Sequence, residues 1–141
     1  LLELEIESAA FEGLSVAHVG DFVVFVRGAV PGDRIMARIS KKKRRHAEAE
    51  LVDLLRSSPA RVQARCPYFG TCGGCSWQNV DYAAQLEFKR QHVDDLFRRI
   101  GGLTDVEVLP VLGAQAIYYY RNKMEFTFSP GRWLTREEIA S

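Results

Sequence analysis

The residues best suited to chemistry lie in one ten-residue block, Cys66-Pro67-Tyr68-Phe69-Gly70-Thr71-Cys72-Gly73-Gly74-Cys75, which holds all three cysteines of the chain in the pattern C-x5-C-x2-C. Thiolates this close together ligate soft metals or iron–sulfur clusters. Gly73 and Gly74 carry no Cβ, so the backbone between Cys72 and Cys75 can curl around a bound cluster, and its N–H groups can point at cluster sulfides. Tyr68, Phe69 and Trp77 can wall off solvent. A four-iron cluster held by protein alone takes four thiolates, and three are present. Either the fourth lies beyond Ser141 or a non-cysteine ligand completes the site. Zinc accepts three cysteines and a histidine, and His18, His46 and His92 are the candidates. His92 stands at no standard spacing from Cys75 and reads as an ordinary surface histidine. A redox pair of the thioredoxin kind opens a helix after a strand, a context missing here. The spacing also differs from the C-x3-C-x2-C of radical enzymes. Spacing alone ranks iron–sulfur above zinc, and either above a redox pair. An odd cysteine count with no secretion signal fits a reducing, cytoplasmic compartment better than a disulfide framework.

A second candidate site is electrostatic. Arg38, Lys41, Lys42, Lys43, Arg44 and Arg45 place six positive charges within eight residues, although the whole chain carries a net charge of only +1. Such a patch is a phosphate track for RNA, single-stranded or looped, or else a solvated loop that aids solubility. A third group is Tyr118-Tyr119-Tyr120 followed by Arg121-Asn122-Lys123. The aromatics can stack on an unpaired base or pack a core. Arg121, Asn122 and Lys123 are not needed for packing and read as RNA contacts.

The elements that must position these residues fall into two parts. Leu2 to Glu7 alternates apolar and acidic residues, as a half-buried strand does. Phe22–Val26, Arg34–Ile39 and Ala49–Leu55 are further strand candidates, with a Gly-containing stretch from Phe11 to Asp21 and a Pro31-Gly32 turn between them. Closing this set of short strands into a small all-β, OB-like barrel over residues 1–56 removes its exposed edges. Residues 57–65 read as a linker. Residues 66–141 read as part of a mixed α/β domain. Asp81 caps a helix that Gly101-Gly102 stops, with Tyr82, Leu86, Val93, Leu96, Phe97 and Ile100 on its apolar stripe. Strands are expected at Val106–Val108 and from Ile117 to Phe128. A 47% hydrophobic and 26% charged composition supports a folded chain. No apolar run approaches the roughly 18 residues of a membrane span. The chain opens at Leu1 and closes just after an apparent helix start in Arg132–Ile139, so both ends read as cut.

Taken together, these residues resemble the RNA uridine C5-methyltransferases that carry an N-terminal TRAM domain, including the 23S ribosomal RNA (uracil-5-)-methyltransferases. In the first part the resemblance rests on Phe25-Val26, Gly28-Ala29-Val30-Pro31-Gly32-Asp33 and Lys41-Lys42-Lys43. In the second it rests on the cysteine block, on Gln85-Leu86-Glu87-Phe88-Lys89 and on Tyr120-Arg121-Asn122-Lys123. The cysteine block followed by Gln-Leu-x-x-Lys is its most specific part. The resemblance implies a TRAM barrel that binds RNA and a central domain with a 4Fe-4S cluster. Cys66, Cys72 and Cys75 would be three of the cluster's ligands, with the fourth beyond Ser141. It also implies a Rossmann-like catalytic domain after residue 141 that uses S-adenosylmethionine, so that this chain alone is inactive and holds no catalytic residue. In that family a catalytic cysteine attacks C6 of uracil, and C5 then takes the methyl group. A cluster-bound thiolate is a poor nucleophile, so none of the three cysteines fills that role. The partner would be RNA, ribosomal RNA in particular, with no membrane contact, and the protein would be a monomer. The competing possibility is a non-enzymatic RNA-binding module with a structural zinc site. An RNA methylthiotransferase, where the barrel follows the catalytic region, fits the order of parts less well.

Overall fold

The computed structural model describes residues 1–123, 125, 128–132, 134, 135, 138 and 139. Six strands form one sheet: β1 (Leu2–Glu5), β2 (Ser8–Ala9), β3 (Leu14–Val19), β4 (Phe22–Arg27), β5 (Arg34–Lys42) and β6 (His46–Arg56). Their order across the sheet is β1-β5-β6-β4-β3-β2. The pairings are antiparallel except β4 with β6, which run parallel with Val24 opposite Ala47 and Val26 opposite Ala49.

This order closes the barrel. β1 and β2 stand at opposite edges of the sheet yet are consecutive in sequence, separated by Ile6 and Glu7 alone. Ile6 N–H donates to Asp33 O at 2.9 Å and Glu7 N–H donates to Val16 O at 2.8 Å, so even the joint bonds to both sides. One extended segment therefore ties the two edges together, and no long free edge is left to pair with another chain. The OB-like expectation holds.

The interior is built from alternating positions. Leu4, Ile6, Ala17, Val24, Val26, Ala29, Ile35, Ala37 and Ala49 make one buried cluster. Four of these nine are alanine, and a small barrel needs small residues where its walls approach. β3 went unread in the sequence because its inward face carries Ser15 and Ala17 rather than large apolar groups. Ser15 is buried because its Oγ donates to Ala29 O at 2.8 Å; an unpaired hydroxyl there would be costly.

Beyond the barrel, α1 (Tyr82–Asp95) starts where expected, with Asp81 Oδ2 accepting from Ala83 N–H at 3.0 Å and Ala84 N–H at 3.4 Å. A π-type turn, Leu96–Ile100, extends it to Gly101. The expected stripe is only partly covered. Tyr82 and Leu86 are half-buried under residues 113–114, where Ala114 N–H donates to Tyr82 Oη at 2.7 Å. Val93, Leu96, Phe97 and Ile100 stay exposed. The packed face is instead Phe88, against the cysteine loop, and His92, against the barrel, one helical turn apart. Phe88 packs edge-on to Trp77 with ring centroids 5.9 Å apart.

His92 is therefore no ordinary surface histidine. Its ring lies 4.6 Å from that of Phe11, and Nε2 hydrogen-bonds Ala9 O at 3.0 Å. The strands expected at Val106–Val108 and from Ile117 onward do not form among the described residues. A strand needs a neighbouring ladder, and every named strand lies between Leu2 and Arg56 and is already paired there. Met124, Phe126 and Thr127 of the second expected strand, and Trp133, Arg136 and Glu137 of the expected terminal helix, lie outside the described residues.

Candidate nucleic-acid interface and cysteine loop

The basic stretch is a hairpin. β5 runs through Lys41 and Lys42, the chain turns at 43–45, and Lys43 N–H donates to His46 O at 2.9 Å as β6 begins. All six cations are exposed. Two are neutralised on the sheet. Lys43 Nζ lies 3.0 Å from Glu48 Oε1, and Arg38 Nη2 lies 3.7 Å from Glu50 Oε2. The bond from Lys43 holds the Glu48 carboxyl below the usual glutamate range. Lys41, Lys42, Arg44 and Arg45 have no carboxylate within 4.0 Å among the described residues. Four cations without an ion-paired carboxylate on a two-stranded tip suit a phosphate backbone.

The expected linker, 57–65, is bonded to the barrel. Asp33, fully buried in the turn after Pro31-Gly32, accepts from Val30 N–H at 2.7 Å and Ser58 N–H at 2.8 Å. It also accepts a two-pronged contact from Arg61, with Nη2 at 2.5 Å and Nε at 3.1 Å. Arg61 Nη2 further donates to Gly28 O at 2.9 Å. Past this staple, residues 60–62 run beside 79–81: Asp81 N–H donates to Ala60 O at 2.8 Å and Val62 N–H to Asn79 O at 3.0 Å. That pairing is the neck of a loop that carries all three cysteines. Neither Asp33 nor Arg61 was singled out from sequence; the only signal was an Asp following Pro-Gly.

Inside the loop, Gln78 spans two cysteines. Its Oε1 accepts from Cys66 N–H at 3.1 Å, and its Nε2 donates to Cys75 Sγ at 3.1 Å. Cys72 Sγ accepts from Gly74 N–H at 3.4 Å. Gln85 Nε2 ties the loop to α1 through Trp77 O at 3.0 Å and Val80 O at 2.9 Å, which gives that conspicuous glutamine a positional role. Cys66 is half-buried, while Cys72 and Cys75 are exposed; all three are free thiols. The donor chemistry suits a thiophilic metal or cluster, but the geometry does not gather it. Among the described residues no three or more His, Cys, Asp or Glu side chains are placed to hold a metal ion. Three thiolates are also one short of a four-iron set. The residues here thus do not make a complete cluster or zinc site. His18 bonds Glu7 Oε2 at 2.8 Å, His46 stands edge-on to Phe25, and His92 holds Ala9 O, so each histidine is engaged within or against the barrel.

Residues 1–52 match the TRAM domain family. The matched stretch takes in β1 to β5 and most of β6. Over most of its length the chain is also similar to proteins described as uncharacterized RNA methyltransferases. It is 45% identical to one from Bacteroides thetaiotaomicron over 130 residues, 92% of this chain and 29% of the relative. It is 43% identical to one from Porphyromonas gingivalis over 136 residues, 96% of this chain and 29% of the relative. It is 47% identical to one from Chlorobaculum tepidum over 119 residues, 84% of this chain and 25% of the relative. The chain thus spans between a quarter and a third of the length of these relatives.

The barrel and the cysteine loop enclose a cleft of about 610 Å³, with Arg27 and Leu51 on the barrel side and Gly73, Cys75 and Ser76 on the loop side. The two come close at Gly13, whose φ is +75° and whose Cβ, if it had one, would lie 2.6 Å from Ser76 Cβ. Arg121, Asn122 and Lys123 are all exposed, and Arg121 Nε donates to Lys123 O at 3.0 Å. Among the described residues, no helix is long and apolar enough to cross a membrane.

Proposed function

We propose that this chain is the RNA-binding front portion of an S-adenosylmethionine-dependent methyltransferase that methylates C5 of a uridine in RNA, with 23S ribosomal RNA as substrate. The observation that carries the RNA contact is the TRAM hairpin, with four exposed cations free of carboxylates at its tip. The RNA methyltransferase descriptions of the relatives support the reaction class. The uridine C5 assignment rests on the cysteine block and Gln85-Leu86-x-x-Lys89. In this reading Arg38, Lys41, Lys42, Lys43, Arg44 and Arg45 track phosphates, and Arg121, Asn122 and Lys123 add a second contact. Cys66, Cys72 and Cys75 are three of the four ligands of a 4Fe-4S cluster. S-adenosylmethionine would supply the methyl group. The nucleophile and base of that reaction belong to a catalytic domain outside these residues, so this chain binds and orients RNA and is inactive alone. The protein is a cytoplasmic monomer.

Two measurements test this. Fluorescence anisotropy with a single-stranded RNA should show affinity falling with salt. Each phosphate contact contributes about 0.7 to the log–log slope, so changing Lys41 and Lys42 to Gln should lower it by about 1.4. A slope unmoved by that change would remove the hairpin from the interface. Nucleoside mass spectrometry of ribosomal RNA from cells lacking the full-length gene should show lost 5-methyluridine. Unchanged 5-methyluridine in 23S RNA would sink the substrate assignment.

A further inference from the structure

Arg65 stands at the entrance to the cysteine loop, outside both the hairpin and the thiol set. Its Cζ lies 5.2 Å from the ring centroid of Tyr118 and 5.2 Å from that of Tyr119. Its Nη2 donates to Tyr119 Oη at 2.8 Å. No carboxylate pairs with Arg65 among the described residues. The guanidinium is held by two aromatic rings and a phenol, and its charge is not cancelled.

Tyr119 is placed as a platform rather than as packing. It is 90% exposed, where a core tyrosine would be covered. Its φ of +60° lies in the left-handed region, which a bulky side chain rarely enters. Such backbone is kept where the surroundings hold it, and it concentrates at binding sites. Here the hold is Arg65, which reaches back across 54 residues of chain. The large exposed ring is thereby fixed at both its face and its hydroxyl.

Between these groups lies a cavity of about 250 Å³, lined by Arg65, Cys66, Gln78, Tyr118 and Tyr119. That is below the roughly 300 Å³ at which small-molecule pockets begin, so it has room for one flat ring rather than an extended metabolite. The Gln78 amide is committed to Cys66 N–H and Cys75 Sγ. The unspent recognition elements are therefore a π-face and the remaining guanidinium N–H groups. An aromatic face beside an unpaired guanidinium is the means by which proteins hold unstacked bases of single-stranded RNA.

We propose that Arg65, Tyr118 and Tyr119 form a stacking site for one unpaired nucleobase. This rests on the RNA-binding reading above and adds a contact that the charge pattern does not supply. The base lies on the Tyr119 ring while Arg65 meets its edge. Because Gln78 joins this cavity to Cys75, the seated base would sit against the loop that carries the thiols.

The test uses the 141-residue chain and a labelled single-stranded RNA of about twelve nucleotides, within the span that small barrels cover. Stacking of a base on an aromatic side chain accounts for roughly tenfold in affinity. Tyr119→Ala should therefore weaken binding about tenfold and leave the salt slope unchanged. Tyr119→Phe, which keeps the ring, should stay within about threefold. Tyr120→Ala should change nothing, since Tyr120 is exposed but does not line the cavity. An RNA carrying 2-aminopurine should show fluorescence quenched by the wild type and not by Tyr119→Ala. Circular dichroism confirms that the variants fold, as expected for so exposed a side chain. Tyr119→Ala binding within twofold of the wild type, or losing no more than Tyr120→Ala, overturns the stacking site alone. If the wild type fails to bind RNA at all, the RNA-binding reading falls and takes the stacking site with it.

Discussion

Removing the Asp33 carboxylate should be the most damaging single change to the joint between barrel and cysteine loop. The side chain is fully buried and serves Val30 N–H, Ser58 N–H and both prongs of Arg61. Asp33→Ala leaves the Arg61 guanidinium, whose side chain is only 18% exposed, with Gly28 O as its remaining acceptor. Breaking one side of a buried ion pair costs about 3–5 kcal/mol, and a buried N–H left without an acceptor costs about 1–3 kcal/mol. These terms share one carboxylate and do not add, and Arg61 can turn its tip partly to water. The expected loss is about 4 kcal/mol, a large share of a net stability of about 5–15 kcal/mol. Asp33→Asn keeps the shape and one acceptor and should lose about half as much. Replacing both partners, Asp33→Ala with Arg61→Met, removes the stranded charge and should recover at least about 1 kcal/mol relative to Asp33→Ala alone. Urea unfolding followed by far-ultraviolet circular dichroism measures all three and Arg61→Met alone, and Asp33→Asn carries the comparison if the alanine variant does not fold. A loss under about 1 kcal/mol for Asp33→Ala, or a double variant as unstable as the sum of its parts, would refute the staple.

Three further outcomes follow from single contacts. Gly13→Ala should cost about 1–2 kcal/mol and shift Trp77 fluorescence, because the new Cβ meets Ser76 at 2.6 Å; an unchanged melt and spectrum would mean that barrel and loop do not touch there. Gln85→Ala leaves the carbonyls of Trp77 and Val80 without their shared donor, so it should destabilise the chain by about 1 kcal/mol and raise hydrogen exchange at the neck, residues 79–81; unaltered exchange would argue against its bracing role. The Glu48 carboxyl, held down by Lys43, should titrate by NMR below the usual glutamate midpoint. Its contribution is present above the unfolded glutamate value and is lost as pH falls through the lower folded one. Lys43→Gln should return the midpoint upward, and a midpoint that ignores that change would discard the pair.

The barrel was legible because its signals are local. Alternation in Leu2–Glu7 names the inward face directly, the β-branched and aromatic run Phe22–Val26 marks a strand, and Pro31-Gly32 names the turn. β3 was not legible, since a strand whose buried face is Ser15 and Ala17 has no apolar alternation to read. What makes Ser15 a core residue is Ala29 O, fourteen residues away in sequence. The helix start was legible from Asp81, whose cap is satisfied within three residues. The helix's packed face was not. It is set by Trp77 and Phe11, which a stripe drawn from the helix alone cannot include.

The same division explains the candidate site. The hairpin cations are contiguous, so composition found them, but which ones are free depends on Glu48 and Glu50 across the ladder. The cysteines are contiguous too, and spacing alone gave their donor chemistry. The spacing says nothing of Asp33 and Arg61, 28 residues apart, which fix where the loop leaves the barrel. Nor does it say anything of Arg65 and Tyr119, 54 residues apart, which place an aromatic ring at the loop's entrance. Short-range pattern thus identifies the groups that can react or bind. Long-range hydrogen bonds decide which of them face the same partner, and here they set the barrel tip and the loop entrance apart, as the two contacts we propose for an RNA strand.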